Sequence, residues 1–248
     1  MVNESRGVLV TGASRGIGRA VASAFAAQGD QVAVHYSARR EDAEATLRHL
    51  PGEGHTLIGG DLGTADGAEA IVTAAVEALG TVHVLVNNAA VNIAHPLAET
   101  DYADWQRIWR QTVDVNLLGT ANVSYQVARH MIDRGIAGTI VNIGSRGAFR
   151  GEPDHPAYGA SKAAVHALGQ SLAVSLAPHG IRVASVAPGF VATERVADRV
   201  TDAVRAQSPF GRVGTPDEIA SAVRYLASPD AAWTSGAVLD VNGASYLR

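Results

Sequence analysis

Short runs rich in β-branched residues alternate with longer alanine-rich stretches along almost the whole of this chain. The runs fall at residues 8–11, 31–35, 55–58, 82–87, 139–143, 181–187 and 237–241. Helical patterns lie between most of them, near residues 16–28, 41–50, 65–78, 101–134, 157–177 and 216–227. A strand followed by a helix of that length is set to pair in parallel with its neighbour, and a parallel sheet needs cover on both faces. The alternation therefore predicts an α/β chain with a seven-stranded, mostly parallel, doubly wound sheet and helices on both faces. Thr215-Pro216-Asp217-Glu218 reads as a helix start, with Thr as cap, Pro at the first helical position and Glu three after the cap. No linker, charge block or repeat divides residues 1–248, so one domain is expected.

Composition narrows the function classes. The chain is 47% hydrophobic and only 5% aromatic with 26 glycines, which suits small-residue α/β layers more than a β-sandwich. A net charge of −4 gives no electrostatic reason to expect nucleic acid or an anionic membrane. Cysteine is absent, which excludes disulfides and thiolate catalysis. The N-terminus carries no apolar leader and no run has membrane-spanning length, so a cytoplasmic protein is expected.

Thr11-Gly12-Ala13-Ser14-Arg15-Gly16-Ile17-Gly18 follows the first run and opens the first helix. Glycines there permit a tight turn, and the free N–H groups of the helix start suit a pyrophosphate. The alternative is a strand-to-helix turn that uses glycine for geometry alone. After the second run comes Tyr36-Ser37-Ala38-Arg39-Arg40, with no carboxylate before Glu41. An acid there would hold the ribose 2′-hydroxyl of NAD, whereas a cation tolerates a 2′-phosphate. The reading is NADP(H) preferred, with Arg15, Ser37 and Arg39 as phosphate contacts, Tyr36 beside them in the cofactor site, and NAD(H) as the alternative. Asp61-Leu62 follows the third run, where Asp61 is set either to accept from the adenine amino group or to cap a helix.

The chain contains a single lysine, Lys162, four residues after Tyr158. That spacing puts the two side chains on one helix face. A phenol beside a cation loses its proton more easily, which suits general acid/base chemistry near neutral pH.

Asn87-Asn88-Ala89-Ala90, Asn116 in Val113-Asp114-Val115-Asn116-Leu117, and Ser145 after Val141-Asn142-Ile143-Gly144 complete an ordered set with Thr11–Gly18, Tyr158–Lys162 and Pro188-Gly189. The set closely resembles the short-chain dehydrogenase/reductase family over essentially the whole chain, with a Rossmann-type fold. Its best match is the 3-oxoacyl-[acyl-carrier-protein] reductase-like group. The resemblance implies an enzyme interconverting a ketone, such as a 3-oxoacyl thioester, and a secondary alcohol by hydride transfer. Tyr158 would be the general acid/base. Lys162 would assist it and bind the nicotinamide ribose, and Ser145 would donate to the substrate oxygen. Asn116 would anchor a water that links Lys162 to solvent. Asn87, Asn88, Ala89, Pro188, Gly189 and Val191 would line the cofactor, with Thr193 at the carboxamide. No metal is expected. Two departures are Ala in Asn87–Ala90 where the family usually has Gly, and Asn242 where Asp is usual; Trp105 also lies one helical turn before the expected Trp109.

Specificity is expected from residues 146–157 and from a helical lid at about 190–210, with Glu194, Arg195, Asp198, Arg199, Asp202 and Arg205, the alternative for that stretch being a plain amphipathic surface helix. Arg146 and Arg150 suit an anionic substrate or a phosphopantetheine carrier, with a solvated loop as the alternative. Arg129 and Arg134 are candidate docking cations for an acidic carrier, and His155, just before the Tyr158 helix, is read either as reaching substrate or, in preference, as a solvated loop residue. The resemblance implies a homotetramer, with a dimer second, closed over Ala160, Ala163, Ala164 and Ala167. The competing readings are an NAD-dependent secondary-alcohol, sugar or steroid dehydrogenase, and a non-catalytic cofactor-binding sensor.

Overall fold

The computed structural model describes residues 5–194, 196 and 200–248. Strand β1 (Gly7–Val10) shows the rule that builds the molecule. Val8 and Val10 join one hydrophobic cluster and Leu9 the other, because successive strand side chains point to opposite faces. The same alternation runs through β2 (Gln31–Tyr36), β4 (Val84–Asn87), β5 (Thr139–Ile143) and β6 (Arg182–Pro188). With β3 (Thr56–Gly59) and β7 (Val238–Val241) these form one seven-stranded sheet in the order β3-β2-β1-β4-β5-β6-β7.

Helices α1 (Gly16–Ala26), α2 (Arg40–His49) and α8 (Pro216–Leu226) contribute to the cluster around Phe25. The opposite face is covered by α3 (Ala65–Leu79), α5 (Thr120–Arg134) and α6 (Pro156–Leu176), around Met131 and Ile140. The anticipated capping box at the start of α8 is present, with Thr215 and Glu218 bonded reciprocally.

The expected doubly wound sheet is present and is parallel at every pairing, β7 included. One expectation is corrected. The long helix at 101–134 is not continuous: α4 (Tyr102–Val113) and α5 are joined by a π-helical turn, Asp114–Gly119. Gly119 sits so close to the chain at Leu62 that a Cβ would come 2.5 Å from its carbonyl oxygen. Such a turn carries no periodicity signal of its own, and π turns gather at functional sites.

The strand order reverses between β1 and β4, and in open parallel sheets that reversal opens a crevice beyond the carboxyl ends. Both the glycine turn after β1 and Asn88, just past the end of β4, lie there.

Candidate active site

The glycine turn is held mainly by bonds between side chains and its own backbone. Thr11 donates its amide to Val86 O at 3.0 Å, and its hydroxyl oxygen accepts from the amides of Asn88 (2.9 Å) and Ala89 (3.1 Å). Gly12 has φ 63°, and a Cβ there would lie 2.8 Å from Ala89 Cα, so the close approach requires glycine. Asn88 donates its side-chain amide to both Thr11 O and Gly12 O at 2.9 Å. Helix α1 begins with neither a side-chain cap nor an acid in its first turn, which leaves its amide donors and positive dipole end open toward an anion.

His35 was not anticipated as part of this site. It is 1% exposed, and its Nδ1 accepts from Gly12 N at 3.1 Å. Its Nε2, 3.2 Å from Gly60 O, must then carry the proton and donate. Burial lowers its pKa to about 4, outweighing the opposing effects of Gly60 and Asp61. The neutral ring is a strut between the turn and the end of β3. Its only sequence signal is a histidine ending the apolar run Val32-Ala33-Val34.

One cleft of about 580 Å³ is lined by Gly12, Ser14, Arg15, Gly16, Ile17, Gly18, Tyr36, Ser37, Arg39, Asp61, Leu62, Asn88 and Ala89 from the first half of the chain. The second half adds Ser145, Tyr158, Lys162, Pro188, Gly189, Val191 and Thr193 to the same cleft. Arg39 is exposed and paired with Asp42 at 3.6 Å. Asp61 accepts from Gly63 N at 2.9 Å, and Thr64 caps α3, so Asp61 is not the helix cap. Asn87 does not face the cleft: its amide donates to Ser124 Oγ and Asn142 Oδ1, both at 2.9 Å, tying β4 to α5 and β5.

Pro156 at the first position of α6 leads directly into Tyr158. Lys162 is 3% exposed, with Nζ 5.7 Å from the Tyr158 ring centroid and donating to Ile143 O at 2.7 Å. Ser145 extends from β5, and its hydroxyl oxygen accepts from Gly147 N at 3.0 Å, leaving its proton to donate. Asn116 lies in the π turn, fully buried and outside the cleft wall. Its Oδ1 accepts from Val91 N at 2.8 Å and its Nδ2 donates to Val91 O and Ser161 Oγ, both at 3.0 Å. The amide is thus committed to bracing the cleft wall and α6.

His95 was also unanticipated. Its Nε2 accepts from Ala157 N at 3.2 Å, next to Tyr158, so Nδ1 donates to Ile93 O at 2.8 Å. Trp105 and Trp109 pack edge-on to its ring, at 5.3 and 6.5 Å. His155 is 7% exposed and lines the cleft, so it is no solvated loop residue. Arg146 is likewise buried, at 4% exposure; burial foremost, then Arg150, lowers its pKa, with Glu152 opposing. Arg129 is paired with Asp133 at 2.7 Å, which weakens it as a docking cation.

The stretch 190–210 is less helical than expected. Among its described residues, turns prevail and the helix is α7 (Asp202–Arg205). Val191 bridges to Gly214, and Glu194 pairs with Arg19 at 3.1 Å. Arg195, Asp198 and Arg199 lie outside the described residues. Among the described residues no cluster of side chains suits a metal, and no helix is long and apolar enough to cross a membrane.

A family model described as enoyl-(acyl carrier protein) reductase matches residues 12–244, nearly the whole chain. The chain is 36% identical to an L-rhamnose 1-dehydrogenase (NAD(P)(+)) of Sphingomonas sp., over 99% of this chain and 98% of that one. It is 35% identical to a 3-oxoacyl-[acyl-carrier-protein] reductase of Staphylococcus aureus, over 98% and 99%. The chain belongs to the short-chain dehydrogenase/reductase family. An acetoin dehydrogenase of Salmonella typhimurium superposes with a TM-score of 0.85 at 32% identity, covering 96% of each chain. As a member of this family the protein is an oxidoreductase of the alcohol/ketone type, and the family's cofactors are NAD or NADP. Its residues fit a dinucleotide: the Gly12–Ala89 approach leaves a cradle that a Cβ would fill, beside an uncapped helix start.

Proposed function

We propose that the enzyme interconverts a ketone and a secondary alcohol with NADP(H) preferred, using Tyr158 as general acid/base. The observation that carries this is one cleft holding Tyr158, Lys162 and Ser145 at one end and the glycine turn at the other. The dinucleotide, held by the Gly12–Gly18 turn, Asn88, Ala89, Asp61, Leu62 and the Pro188–Thr193 stretch, would supply or accept the hydride. In reduction, the Tyr158 phenol gives its proton to the substrate oxygen. The Ser145 hydroxyl donates to the same oxygen, where negative charge develops. The Lys162 ammonium stabilises the charge that appears on the phenol oxygen as the proton leaves. Asn116, through Val91 and Ser161, is a positioning residue that keeps α6 in register with the cleft wall.

The NADP preference is supported by Arg15, which has no ion pair among the described residues, by Arg39 and Ser37, and by the missing carboxylate before Glu41. An NAD-linked sugar or steroid dehydrogenase is the second reading, favoured by the exposed Arg39–Asp42 pair, since a cation already answered by an acid attracts phosphate less. A homotetramer, with a dimer second, is supported by the α6 face Ala160, Ala163, Ala167 and Val174, which is exposed, and by fully exposed Trp233. The stretch 190–210 is suited to act as a lid.

The test is the loss of nicotinamide absorbance with acetoacetyl thioester, acetoin and a sugar lactone, in parallel with NADPH and NADH. Turnover favouring NADPH supports the reading. Equal rates with NADH would overturn the phosphate-pocket assignment, and Tyr158→Phe retaining full turnover would overturn the mechanism.

A further inference from the structure

A buried charge is ordinarily matched by a partner, since an unmatched ion in the interior costs several kcal/mol. Arg146, directly after Ser145, breaks that rule. It is 4% exposed, its Nη2 donates to the Gln207 amide oxygen, and its guanidinium lies 5.7 Å over the Phe190 ring. Its Nη1 is buried with no hydrogen-bond partner. Neither Gln207 nor Phe190 supplies negative charge.

Arg146 and Phe190 line both the main cleft and a second cavity of about 370 Å³ behind it, whose wall includes Val204, Phe210 and Ile219. The carboxylates on that second wall are already engaged: Glu218 with Arg212 at 2.6 Å, and Asp240 with Arg248 at 2.9 Å. Arg150 and Glu152 also act on the guanidinium and oppose one another. Among the described residues Arg146 therefore remains a cation without an ion pair, at the point where the reaction site meets a chamber of mixed polar and apolar lining.

We propose that Arg146 reads a carboxylate on the substrate, so that the ketone reduced by this enzyme is that of an oxo acid. The inference rests on the alcohol/ketone reading and names the substrate class of the same site. One buried cation with one free donor edge calls for a single negative charge. A phosphate, with close to two charges, would leave one of them unmatched, because the other cation on that wall, Arg212, is already paired with Glu218. The adjacency of Arg146 to Ser145 sets the carboxylate a few bonds from the carbonyl that Ser145 and Tyr158 address. Exclusion of water by Phe190 strengthens the pairing.

The experiment compares initial rates for acetoacetate and levulinate with those for their methyl esters, for neutral acetoin and for acetoacetyl-coenzyme A, with NADPH and with NADH. The acids are expected to exceed their esters in kcat/KM by about tenfold or more, the size of a modest charge-assisted contact. Arg146→Gln should erase most of that preference through KM. Arg146→Lys should keep part of it, because charge survives and the fork is lost. NADPH affinity and thermal midpoint serve as checks that each variant is folded; if Arg146→Gln fails them, the partial loss in Arg146→Lys decides. Esters, acetoin or the thioester outrunning the acids would overturn the assignment, as would an acid preference that survives both substitutions. No turnover of any ketone with either nucleotide would instead sink the hydride-transfer reading, and this inference with it.

Discussion

The two ends of the cleft are held in different ways. At the glycine turn the fixing bonds hold the chain path itself: Thr11 N to Val86, the Asn88 and Ala89 amides to the Thr11 hydroxyl, and the Asn88 and His35 side chains to Gly12. At the Tyr158 end, side chains from distant segments do the fixing: Asn116 from the π turn, His95 from the loop after β4, and Lys162 onto the end of β5. A site that offers its ligand backbone amides depends first on chain path. One that offers reacting side chains depends first on those side chains. Substitutions should therefore separate by end, nucleotide binding responding to one and chemistry to the other.

The largest separation is expected for Tyr158→Phe. Loss of a general acid costs about 10²–10⁴ in rate, while NADPH affinity, read by nicotinamide fluorescence, should stay within about threefold. A comparable loss of nucleotide binding would show that the ends are not independent.

Acid should come next. His35 and His166 are both buried with pKa values near 4 against 6.5 for the free side chain. For His166 burial is the main cause, followed by Lys162 and Arg248, with Asp240 opposing. The unfolded chain takes up protons below about pH 6.5 that the folded chain refuses until about pH 4. Stability is therefore complete above that window and falls as pH drops through it, by on the order of 3 kcal/mol per histidine. Denaturant titrations from pH 7 to pH 4 should show this slope. His35→Asn should flatten it, and an unchanged slope would remove His35 from the account.

Gly12→Ala should cost about 1–3 kcal/mol through its positive φ and the contact with Ala89, lowering both thermal midpoint and NADPH affinity. Preserved affinity would mean that the turn adapts. Smallest is Arg39→Asp, expected to shift the NADPH-to-NADH ratio of kcat/KM by about tenfold, a single exposed phosphate contact. A ratio that stays put would leave Arg15 as the discriminating cation.

The same contrast explains what was legible in the sequence. The strands, most helices and the glycine turn were readable because period, β-branching and glycine spacing are local properties of the chain. Tyr158, Lys162 and Ser145 were readable because a known family pattern marks them, and all three line the cleft. His35 and His95 were not, since each acts through backbone groups far away in sequence: His35 on Gly12 and Gly60, His95 on Ala157. The π turn escaped because a single inserted residue leaves hydrophobic spacing nearly intact. The burial of Arg146 and His155 escaped for a similar reason: a polar loop reads as solvated until its tertiary neighbours are known.

The strut at His35 makes the protein answer to two ligands at once. Only the unprotonated ring can accept from Gly12, so any molecule that needs the turn intact selects the state that excludes the proton. By thermodynamic reciprocity such a molecule drives the histidine's titration lower, and acid loosens its hold in equal measure. Resistance to acid is then set in part by the concentration of whatever fills the cleft, and would differ between a starved and a replete cell.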